Sequence, residues 1–139
     1  MNSPAFHLAF PVADIDEAKA FFVGVLGCAV GRETGRWVDF DFYGHQLSAH
    51  LRPEACGSVA TNGVDGDPVP VRHFGVILQW SHWENLRDEL TQNGADFIIE
   101  PRVRFQGQVG EQGTMFVRGP SNNVLEFKTF RDMDKVFEA

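Results

Sequence analysis

Long apolar runs are missing from this 139-residue chain, and so is any surplus of positive charge. No apolar stretch approaches the roughly 20 residues that cross a bilayer as a helix, so no membrane partner is expected. Lys and Arg number 12 against 19 Asp and Glu, a net charge of −7. Nonspecific nucleic-acid binding draws much of its affinity from cations that neutralise phosphates, and this balance argues against it. Cysteine is scarce: Cys28 and Cys56 stand alone, with no C-x-x-C pair. Free thiols in a reducing compartment are expected, with Cys28 serving as a small apolar residue. Met1-Asn2-Ser3-Pro4 has neither the basic segment nor the apolar core of a secretion signal, so the expected location is cytoplasmic. The phosphate-cradling patterns G-x-G-x-x-G and G-x-x-x-x-G-K-[ST] are absent, and no Ser or Cys sits in a local nucleophile signature.

What is present is a repeat. Hydrophobic residues make up 43% of the chain and 13 residues are Phe, enough for a substantial core within a single 1–139 domain. Phe6, Leu8 and Phe10 alternate along one strand face, which turns His7 and Ala9 to the other. Asp14 and Glu17 form an Asp version of the capping box. Ile15, Ala18, Phe21, Phe22, Val25 and Leu26 then follow at helical spacing until Gly27 stops the helix. The pattern recurs downstream: His73 opens a strand over 73–78, Ser81 and Glu84 form a capping box, Trp83, Leu86 and Leu90 make the stripe, and Gly94 ends it. Asp14 to Gly27 and Ser81 to Gly94 are both 13 residues apart. Trp80 and Trp83 are expected in the core or at a dimer contact, and His82 in a solvated first helical turn.

Each half also closes on an alternating strand, 46–51 carrying His50 and 123–127 carrying Glu126. The reading is therefore two βαβββ modules, about 5–51 and 71–127. They are joined by a Pro-, Gly- and Asp-rich linker at 52–70 and followed by a C-terminal helix over about 130–138, where Phe130, Met133, Val136 and Phe137 keep helical spacing. His7, His50, His73 and Glu126 thus occupy matching places, and imidazoles with a carboxylate suit a divalent transition metal. His7, His73 and Glu126 make a two-His, one-carboxylate set of the kind associated with Fe(II). His50 as a fourth ligand would favour Lewis-acid chemistry on Zn, Ni, Co or Mn. His45, in the turn entering the last strand of the first half, is a candidate proton-transfer group. In the Gly-rich stretch 101–113, Arg104 offers a fork of donors to a substrate carboxylate, and Trp37 and Tyr43 are candidate pocket aromatics.

On His7 in Phe-His-Leu-Ala-Phe-Pro-Val, the segment Ala18 to Gly27, His73 in Arg-His-Phe-Gly-Val and the run Gly119 to Phe127, the chain resembles the vicinal oxygen chelate superfamily over about residues 5–130. Type I glyoxalases, extradiol dioxygenases, fosfomycin-resistance enzymes and bleomycin-binding proteins belong to it. The wording looks most like a small branch of predicted dioxygenases. The resemblance implies an α+β fold in which paired βαβββ modules form an eight-stranded, cup-shaped mixed sheet around a divalent metal. It further implies a small catechol or other vicinal-oxygen substrate, a homodimer, and a metal triad of His7, His73 and Glu126. His50 matches the further glyoxalase ligand and, with His45, is a candidate proton carrier. Gln108 and Phe116 stand where the extradiol signature has His and Tyr, which sets both beside the substrate, while Asn122 replaces the turn Gly. A glyoxalase-like isomerase or lyase and a non-catalytic binding protein are the alternatives.

Overall fold

The computed structural model describes residues 3–64 and 66–138. The chain divides into two compact units, Met1–Ser58 with Gly119–Asn123, and Val59–Arg118 with Val124–Ala139. In the first unit β1 (His7–Val12) leads to α1 (Ile15–Lys19), then β2 (Ala29–Glu33), β3 (Trp37–Phe42) and β4 (His45–Leu51). These strands form a four-stranded sheet in the order β1-β4-β3-β2. β1 runs parallel to β4, and β3 is antiparallel to both β4 and β2. Asp14 caps α1 by accepting the Glu17 N–H, and a π-helical stretch, Ala20–Val25, continues it to Gly27 at φ 75°. Phe22 is fully buried and lies between the rings of Phe10 and Phe40, at 5.6 and 4.9 Å.

The loop Gly119–Asn123 joins the first unit through side-chain hydrogen bonds. Asn123 Nδ2 donates to the Pro11 carbonyl, Ser121 Oγ accepts from Ala13 N–H, and Asn122 Nδ2 donates to the Cys56 carbonyl. Ser121 and Asn122 hold φ of 60° and 64°. Asn tolerates this left-handed conformation, which is why it can stand at a turn position where Gly is usual.

In the second unit β7 (Phe74–Leu78), α2 (Trp80–Gln92), β8 (Phe97–Arg104), β9 (Gln112–Arg118) and β10 (Val124–Phe130) repeat the plan. Their sheet has the order β7-β10-β9-β8, again with the first and last strands parallel. Each unit is therefore a βαβββ module bearing a mixed sheet. One sheet face packs on α2, where Trp83, Leu86 and Leu90 are buried and the Trp83 indole N–H donates to the Phe127 carbonyl at 2.9 Å. Residues of β10 alternate across the sheet. Leu125, Phe127 and Thr129 take the buried face, and Glu126 and Lys128 point to the other.

Three expectations are corrected. The second helix begins at Trp80 with Gln79 at the cap and no side-chain capping bond, so Ser81 lies inside the first turn and forms no capping box with Glu84. The expected linker holds a hairpin, β5 (Thr61–Val64) paired with β6 (Asp67–Pro70). Val69 fixes it in the second unit by packing with Ile99, Phe116 and Val124. The C-terminal helix is reduced to a 3-10 turn, Met133–Lys135. Phe130 is the last residue of β10, Asp132 caps the turn by accepting the Asp134 N–H, and Phe137 is 97% exposed. Helical spacing alone did not supply a face for that segment to bury.

Candidate functional site

In the second unit, His73 stands just before β7 and Glu126 on β10, opposite Gly75 in the parallel ladder. A Cβ at Gly75 would fall 1.6 Å from the Glu126 carbonyl oxygen, so only glycine permits this approach of the two strands. His73 Nδ1 lies 2.6 Å from the Pro70 carbonyl oxygen, and its Nε2 lies 3.2 Å from Glu126 Oε1. The carbonyl can only accept, so the ring proton is on Nδ1 and the neutral imidazole turns a bare Nε2 toward the carboxylate. Two acceptors at this distance are compatible only with a cation, either a proton on Nε2 or a metal ion that both atoms ligate. Glu126 is held from behind, since Thr114 Oγ1 donates to its Oε2 at 2.6 Å. The outer partners of a metal-ligating His and carboxylate characteristically act this way, and the donor set fits a divalent metal. Phe116 sets its ring edge-on to the imidazole at 4.8 Å. A cavity of about 270 Å³ opens here, lined by His73, Gly75, Ile77, Glu126 and Lys128 among others.

In the first unit His7 opens β1 and is exposed. The register there pairs Ala9 with Ser48 and Pro11 with His50. Ala9 follows His7 by two residues, as Gly75 follows His73, so the counterpart of Glu126 is Ser48 rather than His50. His50 lies two residues further along β4, exposed and opposite Trp37. Ser48 is buried and donates to Asp39 Oδ1 at 2.5 Å, while Gln46 Nε2 donates to Asp39 Oδ2 at 3.3 Å. His45 accepts the Phe6 N–H on Nδ1 at 2.9 Å, which puts the proton of its neutral ring on Nε2. It lines a cavity of about 320 Å³ with Arg32, Asp39, Asp41 and Gln46.

Tyr43 and Gly44, at φ 54° and 83°, form the two-residue turn between β3 and β4, with the Tyr43 ring edge-on to Phe42. Arg104 ends β8 with its guanidinium 4.8 Å above the Phe105 ring, and Gln108 occupies an exposed turn. Among the described residues, no group of three or more His, Cys, Asp or Glu is placed to hold a metal ion. His73 and Glu126 stand as a pair. Neither thiol is primed for chemistry: burial, and then Asp41, pushes Cys28 up to about 11, and burial is the main cause raising Cys56. Thr114, Gly75 and the Pro70 carbonyl were not singled out from sequence. Thr114 and Phe116 do alternate on β9 toward the Glu126 face, a signal that needs the strand boundaries first.

A family model described as the Glyoxalase/Bleomycin resistance protein/Dioxygenase superfamily matches residues 5–127. The chain belongs to this superfamily. A superfamily structure from Alicyclobacillus acidocaldarius, described as a glyoxalase/bleomycin resistance protein/dioxygenase, is 34% identical. It covers 99% of this chain and 100% of its own at a TM-score of 0.79. The fosfomycin resistance protein FosX of Listeria monocytogenes shares the fold at 16% identity, with 93% and 94% covered and a TM-score of 0.68. So does lactoylglutathione lyase from Agrobacterium tumefaciens, at 16% identity, 91% and 93% coverage and a TM-score of 0.63. No curated protein matches the chain. For this superfamily member the likeness covers both modules, and the two distant neighbours bear on the fold alone.

Proposed function

We propose that this superfamily member is a metal-dependent enzyme. In this reading it holds a divalent metal through His7, His73 and Glu126 and acts as a dioxygenase-like protein on a small catechol or other vicinal-oxygen substrate. The observation that carries the reading is His73 Nε2 facing Glu126 Oε1 at 3.2 Å, the imidazole fixed from behind by the Pro70 carbonyl and the carboxylate by Thr114. The β4 register leaves His50 off the position equivalent to Glu126, so three ligands are proposed rather than four. Two His and one carboxylate leave positions open and are associated with Fe(II). Such a metal supplies Lewis acidity when bound, and as Fe(II) also reactivity toward oxygen.

The chain's own groups then have defined tasks. Thr114 keeps one carboxylate oxygen of Glu126 occupied and leaves the other to the metal. Phe116 shields one edge of His73 from water. His45, with its proton on Nε2, is the proposed proton carrier. A second reading, a glyoxalase-like isomerase or lyase on Mn, Ni, Co or Zn, draws on Phe116. A ring without a hydroxyl beside His73 offers no proton to a ring-cleavage step, whereas enolisation needs only a base such as Glu126.

Anaerobic purification, metal analysis, and oxygen uptake on a catechol panel beside oxygen-free turnover of hemithioacetals test both. About one Fe per chain, oxygen uptake, and loss of metal in His73→Ala and Glu126→Ala are expected. Turnover without oxygen on a non-redox metal would establish the second reading. Absence of any metal uptake, and of thermal stabilisation by Fe, Mn, Ni or Zn, would overturn both in favour of a non-catalytic binding protein.

A further inference from the structure

Lys128 lies two residues beyond Glu126 on β10 and opposite Thr114 on β9, on the sheet face that carries the metal pair. It lines the same cavity as His73 and Glu126. The chain has three lysines against 19 acidic residues. Lys19 and Lys135 are paired with Glu33 and Glu138 at 2.8 and 2.6 Å. Lys128 makes no ion pair among the described residues, and its ammonium rests 5.7 Å from the Phe130 ring centre. Among the described residues, the lysine without a carboxylate partner is therefore the one beside the His73–Glu126 pair. Its position is not one the metal triad needs. A half-buried lysine that lines a cavity, with the Glu126 carboxylate of that cavity already engaged by Thr114, favours a ligand that brings its own negative charge.

We propose that Lys128 is the anion-binding residue of the cavity, and that the substrate carries an oxyanion about 7 Å from its metal-chelating oxygens, the span of two strand residues at ~3.4 Å each. The inference rests on the metal reading above and narrows its substrate class to vicinal-oxygen compounds with a distal carboxylate or phosphoryl group. Ile77, 36% exposed on the same cavity wall, supplies an apolar surface for the carbon frame between the two ends. Nothing in sequence periodicity marks this lysine, because any strand residue on that face would fit the alternation.

The test is calorimetric binding to the metal-loaded full chain of catechol, 3,4-dihydroxybenzoate and 3,4-dihydroxyphenylphosphonate. Both acids are expected to bind about tenfold tighter than catechol or better, a gain of ~1.4 kcal/mol. Whichever of the two gains more identifies the oxyanion. Lys128→Met should remove the preference and leave catechol affinity and melting temperature unchanged, and Lys128→Arg should keep most of it. Equal binding of the three ligands by the wild type, or a preference that survives in Lys128→Met, overturns the assignment of Lys128 alone. Failure of metal and catechol to bind at all overturns the metal reading and this inference with it.

Discussion

Thr114 determines how many oxygens Glu126 has to offer. Its hydroxyl is buried and donates to Oε2, so Thr114→Val removes the donor without changing the shape of the site. The carboxylate would then swing or bind through both oxygens. Metal affinity should fall about 10- to 100-fold, read by competition with a chelator dye, and Thr114→Ser should restore it. Cys28 gives a second residue-level prediction. Its thiol is pushed up to about 11 by burial, above its ordinary 9.0. In the folded state the proton is therefore kept at pH values where the unfolded chain has begun to lose it. The stability this group contributes is complete below pH 9 and is lost as pH rises from there toward 11, by about 1–3 kcal/mol at the upper end. Urea titrations at pH 8 and 10.5 should show that loss, and Cys28→Ala should flatten it. The residues that hold the site, Thr114, Gly75 and Pro70, carry no chemical signature of their own. The candidacy of His73 and Glu126 was legible because imidazole and carboxylate are ligand types wherever they stand. Their supports become visible only when register sets them against those ligands.

At the level of elements, local signals succeeded where one short-range interaction decides the outcome. Asp14 caps α1 through its own side chain, and Gly27 and Gly94 hold the positive φ that a helix terminus needs. Signals failed where distant packing decides. Ser81 and Glu84 have the capping-box spacing, yet the chain enters α2 two residues earlier, with Gln79 at the cap and Trp80 and Trp83 beginning the helical face. The composition of 52–70 reads as a connector, yet β5 and β6 form within it because Val69 finds Ile99, Phe116 and Val124. Strand register was the most consequential part that sequence left open. A shift of two residues keeps the face and changes the neighbour, so both His50 and Ser48 satisfy the alternation, and only the β1–β4 pairing distinguishes them. The hairpin should matter to the site as well as to stability, since Pro70 at its end accepts the His73 Nδ1 proton. Val69 is 1% exposed, and Val69→Ala should cost about 2 kcal/mol in urea unfolding through the cavity it leaves. It should also weaken metal binding several-fold at temperatures where the variant remains folded. Unchanged metal affinity would show that β6 serves stability alone.

For the whole molecule, the repeat has a consequence that neither module has by itself. Both modules share strand order and sense, but they have diverged at the position that matters. The second carries Glu126 there and the first carries Ser48, engaged with Asp39. In the proposed triad the second module supplies His73 and Glu126, and the first supplies His7. The proposed triad joins His7 of the first module to the His73–Glu126 pair of the second, and in a homodimer the two modules can come from different copies. We expect a second copy of the chain to bring His7 to that pair. The decisive experiment uses two variants expected to bind no metal, His7→Ala and Glu126→Ala, unfolded and refolded together. If His7 of one copy completes the His73–Glu126 pair of another, each mixed dimer holds one intact site. Random mixing in equal amounts then restores about a quarter of the wild-type sites, as expected for a two-fold dimer. Metal content and ligand binding should both rise to that level, while each variant refolded alone stays empty. If all three ligands come from one chain, no mixture of these two variants can regain a site, and metal content stays at zero at every ratio.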